Sequence, residues 1–258
     1  MRPLILTFGK SDVGNVRENN EDNYLIITNE DFTVLSVCDG MGGHKAGEVA
    51  SGLAIEYLKD FVYQKGDFAI TWRGEEEKPS PESYFSDKNL VEFIKKLNKK
   101  VFDKSKENYI YKGMGTTFNA VFIVGKIAKV VNIGDSRTYI IRKNKISRIT
   151  KDHSLIQEEI DKGFIDKNEI EKIIPKNIIT KAIGIKEDIE PDIYTLNLEN
   201  KDRIILVTDG IHDLLSDDEI FKIMRKGKIE ISTERLINKG KEKGGFDNLT
   251  VITALINI

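Results

Sequence analysis

Phe32-Thr-Val-Leu-Ser-Val-Cys38 runs straight into Asp39-Gly40-Met41-Gly42-Gly43-His44-Lys45, and from Ala46 the period of the chain changes. Ala46, Val49, Ala50, Leu53, Ala54, Tyr57, Leu58 and Phe61 recur at steps of three and four. The first run reads as a short strand, and the later spacing puts its apolar residues on one helical face. An aspartate beside a glycine stands at the join. The stretch thus predicts a strand that ends at a carboxylate and hands over to a long helix. Leu90, Phe93, Ile94, Leu97 and Val101 predict a second helix of the same kind. Its Lys95, Lys96, Lys99 and Lys100 lie mostly off that stripe and read as a solvated face, not a nucleic-acid patch.

Outward from these helices, strands predominate. Apolar runs at 118–124, 129–133, 138–142, 146–149, 204–207 and 250–256 predict strands, three of them as a meander with Lys143-Asn144-Lys145 as one turn. Helical segments are expected at 154–163, at 166–174 and after Ser216. Ser216 with Glu219, and Asp166 with Glu169, make capping-box patterns. Residues 66–87 hold three consecutive Glu and two of the five Pro, which is loop chemistry joining the two long helices. No internal repeat is visible. Strands, two long helices and more strands predict sheets covered by helices rather than strict alternation.

The chain has 258 residues and a formal net charge of −2, from 40 Lys+Arg against 42 Asp+Glu. At this length one domain spanning 1–258 with a full core is expected. Forty per cent hydrophobic and 32% charged residues is an ordinary balance for a folded soluble protein. Near-neutral charge removes the simplest case for a nucleic-acid or anionic-membrane binder. One cysteine, Cys38, excludes an intrachain disulfide and a Cys-rich zinc site, and fits a reducing compartment. No leader pattern is visible and no stretch approaches the roughly 18 apolar residues of a membrane span. A soluble cytoplasmic protein is expected.

One pattern recurs. Apolar strands run into Asp39-Gly40, Gly134-Asp135-Ser136 and Asp209-Gly210, while Gly244-Gly-Phe-Asp247-Asn248 stands at the entrance of a strand. Singly, each reads as a turn, because Asp-Gly is a common turn pair. Together they suggest carboxylates gathered at a sheet edge, with glycines that let a ligand or metal approach the main chain. Several carboxylates in one cleft cannot all ionise in low dielectric without compensation. Divalent cations would compensate, and an oxygen-only ligand set favours Mg2+ or Mn2+ over Zn2+. Two such ions acidify a shared water and stabilise in-line displacement at phosphorus. Arg17, in Arg17-Glu-Asn-Asn-Glu-Asp22, offers a bidentate grip on phosphate, with a surface salt bridge to Glu18 or Glu21 as the plainer reading.

At these residues the sequence resembles the PPM family, the metal-dependent protein phosphatases of PP2C type. Arg17-Glu-Asn-Asn-Glu21-Asp22 resembles R-x-x-N-E-D. Residues Asp39 to Ser51 resemble the bacterial D-G-M-G-G-H-x-A-G-E-x-A-S signature. Gly113-Met-Gly-Thr-Thr117, Gly134-Asp-Ser-Arg137, Asp152-His-Ser154, Thr208-Asp-Gly210 and Asp247-Asn-Leu-Thr250 match later blocks, all seven in order.

The resemblance implies a four-layer α-β-β-α sandwich, an α+β fold of two mainly antiparallel sheets flanked by helix pairs. It implies that Asp39 bridges two core divalent ions, Mn2+ or Mg2+, and that the Gly40 carbonyl binds one. Asp209 and Asp247 complete the other, and Asp135 with Asp209 holds a third, weaker ion. Glu21 and Asp22 act through waters, Asn248 orients Asp247, and Arg17 binds substrate phosphate. A flap is implied around 152–189. The implied activity is hydrolysis of phosphoserine and phosphothreonine by direct attack of a metal-activated water. Phosphoproteins are the implied substrates, a serine/threonine kinase the cognate partner, and a monomer the expected state.

Two features depart from the family. Eukaryotic members carry histidine directly after Asp-Gly, where it is a proposed general acid. Here Met41 holds that position and the histidine comes at His44, which is read either as proton donor or as a buried structural residue. The 66–87 loop is the second departure and receives no role. His153, His212 and Cys38 read as packing residues, and Asp213 as a neighbour of Asp209. A metallophosphoesterase for small phosphorylated molecules and a non-catalytic regulatory module with this fold are the competing functions.

Overall fold

The computed structural model describes residues 3–42, 46–65, 80–163, 175 and 178–258. His44, most of the 66–87 loop and the helix expected at 166–174 with its capping box lie outside the described residues.

In chain order the elements are β1 (Leu4–Asp12), β2 (Asp22–Thr28), β3 (Phe32–Met41), α1 (Ala46–Val62), α2 (Pro81–Tyr84), α3 (Asp87–Glu107), β4 (Gly115–Thr116), β5 (Phe118–Val124) and β6 (Ile127–Ile133). They continue with β7 (Arg137–Arg142), β8 (Lys145–Arg148), α4 (Leu155–Asp161), β9 (Asp192–Asn197), β10 (Arg203–Val207), α5 (Asp209–His212), α6 (Asp217–Met224), α7 (Ile229–Glu242) and β11 (Leu249–Asn257). One sheet has the order β1-β11-β10-β7-β8, the other β2-β3-β5-β6-β9 with β4 on β3. Every pairing is antiparallel.

Strand alternation builds the layers. In β3, Leu35 and Val37 face the other sheet, where they meet Ile204, Leu206, Ile252, Ala254 and Ile256. Val34 and Cys38 point the opposite way, into a core formed with α1 and α3. In β10, Ile205 and Val207 turn outward and are covered by Ile220, Met224, Leu236 and Ile237 of α6 and α7. Three apolar layers between four structural layers give the α-β-β-α sandwich that the motifs imply. Apolar residues on both faces explain why these strands read as unbroken hydrophobic runs.

The helices follow their stripes. Leu90, Phe93, Ile94, Leu97 and Val101 of α3 are buried, and the Phe61 and Phe93 rings stack at 4.6 Å between α1 and α3. Lys95, Lys96, Lys99 and Lys100 of α3 are exposed. Three of them ion-pair, with Glu190, Glu92 and Asp103. The capping box at Ser216 and Glu219 is formed in full.

The expected meander is not one sheet. β6 pairs in one sheet, while β7 and β8 pair in the other. The chain crosses between sheets at Gly134-Asp135-Ser136. Gly134 makes the crossing at φ 100°, packed so closely on Thr117 that a Cβ would collide with its side chain. Asp135 is thereby delivered to the end of the sandwich. Strands β1, β2, β9 and the two-residue β4 are additional to those expected.

Candidate active site

The acidic residues meet at the end of the sandwich where β2 begins and β3 ends. Asp22 and Asp39 are register partners across that pair. β3 extends past Asp39 because Gly40 and Met41 pair with β4. The Asp39 main chain is fully engaged: its N–H donates to Thr117 Oγ1 (2.9 Å), and its carbonyl accepts from the Thr117 N–H (2.8 Å) and Thr116 Oγ1 (2.9 Å). Only the carboxylate is left to face the cleft. Gly40 tolerates no side chain, since a Cβ would run into the Gly47 carbonyl at the start of α1.

Asp209 opens α5 directly after β10, and Gly210 lies against the Asn248 carbonyl, where a Cβ would again collide. The Asp39 and Asp209 carboxyls lie close enough together for each to act directly on the other. Burial, then Asp209, Asp22 and Asp135, push the Asp39 carboxyl well above the usual carboxylate range. Burial also raises Asp209, with Asp247 and Asp213 adding to it against the opposing effect of His212.

Asp22 is buried. Its Oδ2 accepts from Thr208 Oγ1 (2.8 Å) and Thr250 Oγ1 (2.6 Å), and its Oδ1 has no hydrogen-bond partner. Burial, with Asp209 and Asp247, lifts its pKa to about 7 despite the two hydroxyls. Asp135 is 5% exposed and its Oδ1 is likewise without a partner. Burial, then Asp209 and Asp152, hold its carboxyl well above the usual range.

Asp247 and Arg17 form the rim. Arg17 Nη2 donates to Asp247 Oδ2 at 2.7 Å, and the Asn248 N–H donates to Asp247 Oδ1 at 2.8 Å. Arg17 therefore pairs with an acid 230 positions away rather than closing on Glu18 beside it. Asn248 ties the Arg17 loop down. Its Oδ1 accepts the Glu21 N–H (2.8 Å), and its Nδ2 donates to the carbonyls of Val13 (3.0 Å) and Asn19 (2.9 Å). Burial raises the Glu21 carboxyl, with Arg17 opposing and Asp247 and Glu48 reinforcing.

The structure thus brings Asp22, Asp39, Asp135, Asp209 and Asp247 into one electrostatic cluster, with Arg17, Glu21 and Asn248 around it. Among the described residues, no three His, Cys, Asp or Glu side chains already converge as a ready metal-ligand group. Asp247 is turned to Arg17. The residues nevertheless fit divalent cations. Two buried carboxylate oxygens have no hydrogen-bond partner, which is costly unless something compensates them. The donors are all oxygen, as hard cations require.

Cys38 is fully buried, its thiol pushed up to about 12 chiefly by that burial, so it is a core residue and no nucleophile. His153 is structural. Its Nδ1 accepts the Gly134 N–H at 3.0 Å, and its Nε2 faces Asp192 at 3.3 Å. His212 is more than packing, since its Nε2 lies 3.0 Å from the Asp135 carbonyl. The sequence reading also passed over Thr208 and Thr250. Their signal was a hydroxyl inside an otherwise apolar, fully buried run, a position that demands a partner.

The sequence pattern of the family described as protein phosphatase 2C matches residues 14–238. Protein phosphatase PhpP of Streptococcus pneumoniae is 33% identical over 251 residues, 96% of this chain and 96% of that protein. The crystal structure of serine/threonine phosphatase Stp1 from Staphylococcus aureus superposes with a TM-score of 0.84 at 33% identity, covering 99% of this chain and 96% of that one. The catalytic domain of the serine/threonine protein phosphatase PstP, solved in complex with two manganese ions, gives a TM-score of 0.81 at 30% identity, covering 99% of this chain and all of that one. Motifs, layer order and overall likeness agree: the chain belongs to the protein phosphatase 2C family.

Proposed function

We propose that this protein is a metal-dependent phosphatase of phosphoserine and phosphothreonine residues in proteins, and that residues 1–258 act as one catalytic domain. The observation that carries the reading is the gathering of Asp22, Asp39, Asp135, Asp209 and Asp247 beneath Arg17 at one end of the sandwich. The names of the similar phosphatases support it, as do the two manganese ions bound to the PstP catalytic domain.

Asp39 and the Gly40 carbonyl, with Asp209 and Asp247, are the residues that would hold two core ions, and Asp135 with Asp209 a third. When bound, Mn2+ or Mg2+ supplies a nucleophile from water at neutral pH and neutralises charge on the phosphoryl group. The rest falls to the chain itself. Arg17, held at the rim by the Asn248-anchored loop, offers two parallel N–H donors to phosphoryl oxygens. Thr208 and Thr250 fix Asp22 so that one oxygen stays aimed into the cleft. Glu21 and Asp22 hold and orient water between the cleft and the protein wall.

Phosphoserine and phosphothreonine are made by kinases, so a serine/threonine kinase is the proposed counterpart. The proposed setting is cytoplasmic and the proposed state monomeric. Among the described residues no helix is long and apolar enough to cross a membrane, and the near-neutral charge gives no pull toward anionic surfaces.

Phosphate release from a phosphothreonine peptide, a phosphoserine protein and a small aryl phosphate tests the reading, after EDTA treatment and after Mn2+ is restored. Mn2+-dependent turnover with kcat/KM highest on the phosphorylated protein or peptide is expected. Turnover that survives EDTA, or confinement to the small ester, would overturn it.

A further inference from the structure

Among the described residues, His212 is the imidazole that the fold sets against the acidic cluster. It closes α5, three residues after Asp209, so both side chains leave one face of a single helical turn. Its side chain is 3% exposed. Its Nε2 lies 3.0 Å from the main-chain carbonyl oxygen of Asp135. A carbonyl only accepts, so Nε2 carries a proton and donates it. Nδ1 has no hydrogen-bond partner and stands 3.4 Å from Asp213 Oδ1.

The crossover that carries Asp135 is pinned on either side of that residue. The Gly134 N–H donates to His153 Nδ1, and the Gly134 carbonyl accepts from the His153 N–H (2.9 Å) and Asn132 Nδ2 (3.2 Å). The Ser136 hydroxyl pairs with Thr117 Oγ1 at 2.8 Å. Between those anchors, the Asp135 carbonyl receives His212. The carboxylate above it has a buried Oδ1 without a partner, so the peptide beneath governs where that oxygen points. His212 and Asp213 also line, with Asp135, Arg137, Arg148 and Asp152, a cavity of about 280 Å³ on this flank of the cleft.

We propose that His212 is a positioning residue. By bonding the Asp135 peptide to the helical turn that starts with Asp209, it sets the separation of those two carboxylates and so the affinity of the weaker cation site they share. The inference rests on the reading above that Asp135 and Asp209 hold a cation. No acidic motif requires a histidine there, which is why the sequence alone made it a packing residue.

Mn2+ titration followed by electron paramagnetic resonance of the free ion counts sites and affinities without any substrate. Wild type is compared with His212→Leu and with His212→Gln, whose amide N–H reaches to the place of Nε2. His212→Leu is expected to weaken the lowest-affinity class of sites by about 10- to 100-fold, the usual effect of losing an outer hydrogen bond to a metal centre. The tighter sites and the KM for a phosphopeptide stay unchanged, and His212→Gln recovers most of the loss. An unaltered weak class in His212→Leu overturns the proposal, and so does a His212→Gln as impaired as the leucine variant. If His212→Leu loses its cooperative melting transition, His212→Asn, polar but too short to reach the carbonyl, is read by the same two outcomes. Wild-type protein that binds no Mn2+ overturns the underlying metal reading as well, a result distinct from equal weak-site binding in wild type and variant.

Discussion

Two hydroxyls close on one oxygen of Asp22 and leave the other bare. At this scale each residue has a separable consequence. Asp39→Asn removes an ionisable carboxyl and with it a ligand in the proposed centre. Turnover should fall by more than about 100-fold, the upper range for loss of a mere outer partner, in an assay at saturating Mn2+. Arg17→Ala removes a charge-assisted bidentate donor, so KM for a phosphopeptide should rise by about 10- to 100-fold with kcat much less affected. Its thermal midpoint should hardly move, because the Arg17–Asp247 pair is 52% and 36% exposed and such pairs contribute about 0–1 kcal/mol. A large loss of stability with unchanged KM would contradict the phosphate-binding role.

Among elements, a buried charge cluster joins β7 to the segment leading into α4. Arg137 Nε and Nη2 grip Asp152 at 2.6–3.1 Å, with the pair only 15% and 9% exposed, and Arg148 reaches the same carboxylate at 3.3 Å. Arg137→Met leaves Asp152 buried beside Arg148 alone, and should cost about 3–5 kcal/mol in urea unfolding. Burial alone would raise the Asp152 carboxyl, but Arg137, helped by Arg148 and His212, holds it below the ordinary value. A depressed carboxyl stabilises the fold above its unfolded pKa of about 3.9 and ceases to do so as pH falls through the folded value. Wild type should therefore lose this contribution below about pH 4, and Asp152→Asn should flatten that part of the stability–pH curve.

Elements also show what local sequence can and cannot tell. The stripes of α1 and α3 and the runs of β3, β5, β10 and β11 were readable because burial on one helical face, or on both strand faces, leaves a local signature. β1 was not, since Gly9 interrupts it. That glycine is required because the Tyr24 ring of β2 lies where a Cβ would stand. β9 alternates only weakly in burial. The false meander has a similar cause: periodicity says that a run is a strand, not which sheet it joins. In the site, strand-end aspartates could be seen locally. Thr208 and Thr250 could not be given their roles, nor could the hold of Asn248 on the Arg17 loop be read, because their partners lie 186 to 235 positions away.

For the whole molecule, the end of the sandwich that gathers five carboxylates opposes its own compactness. A cation that binds only the folded state stabilises it by about 2.7 kcal/mol at a hundredfold excess over Kd. For a chain of this size that corresponds to a rise of about 5–10 °C in the melting midpoint. Differential scanning fluorimetry should show that rise when Mn2+ is added to EDTA-treated protein, and Asp39→Asn should reduce it. An identical midpoint with and without Mn2+ would separate these acids from cation binding.

The edge strand β1 of the first sheet and its neighbour β11 carry a topological consequence. Leu4 stands opposite Asn257, whereas Asp12, at the other end of the same pair, stands opposite Leu249 beside the cleft. Eight steps of roughly 3.4 Å put the Leu4–Asn257 pair about 27 Å from the catalytic end. A circular permutant that bridges residues 4 and 257 with a short glycine-serine linker and opens the Lys143-Asn144 turn would leave every cleft residue on its own strand. It should hydrolyse a phosphopeptide with a kcat within a few-fold of the parent, making this enzyme's order of strands a matter of wiring rather than of catalysis.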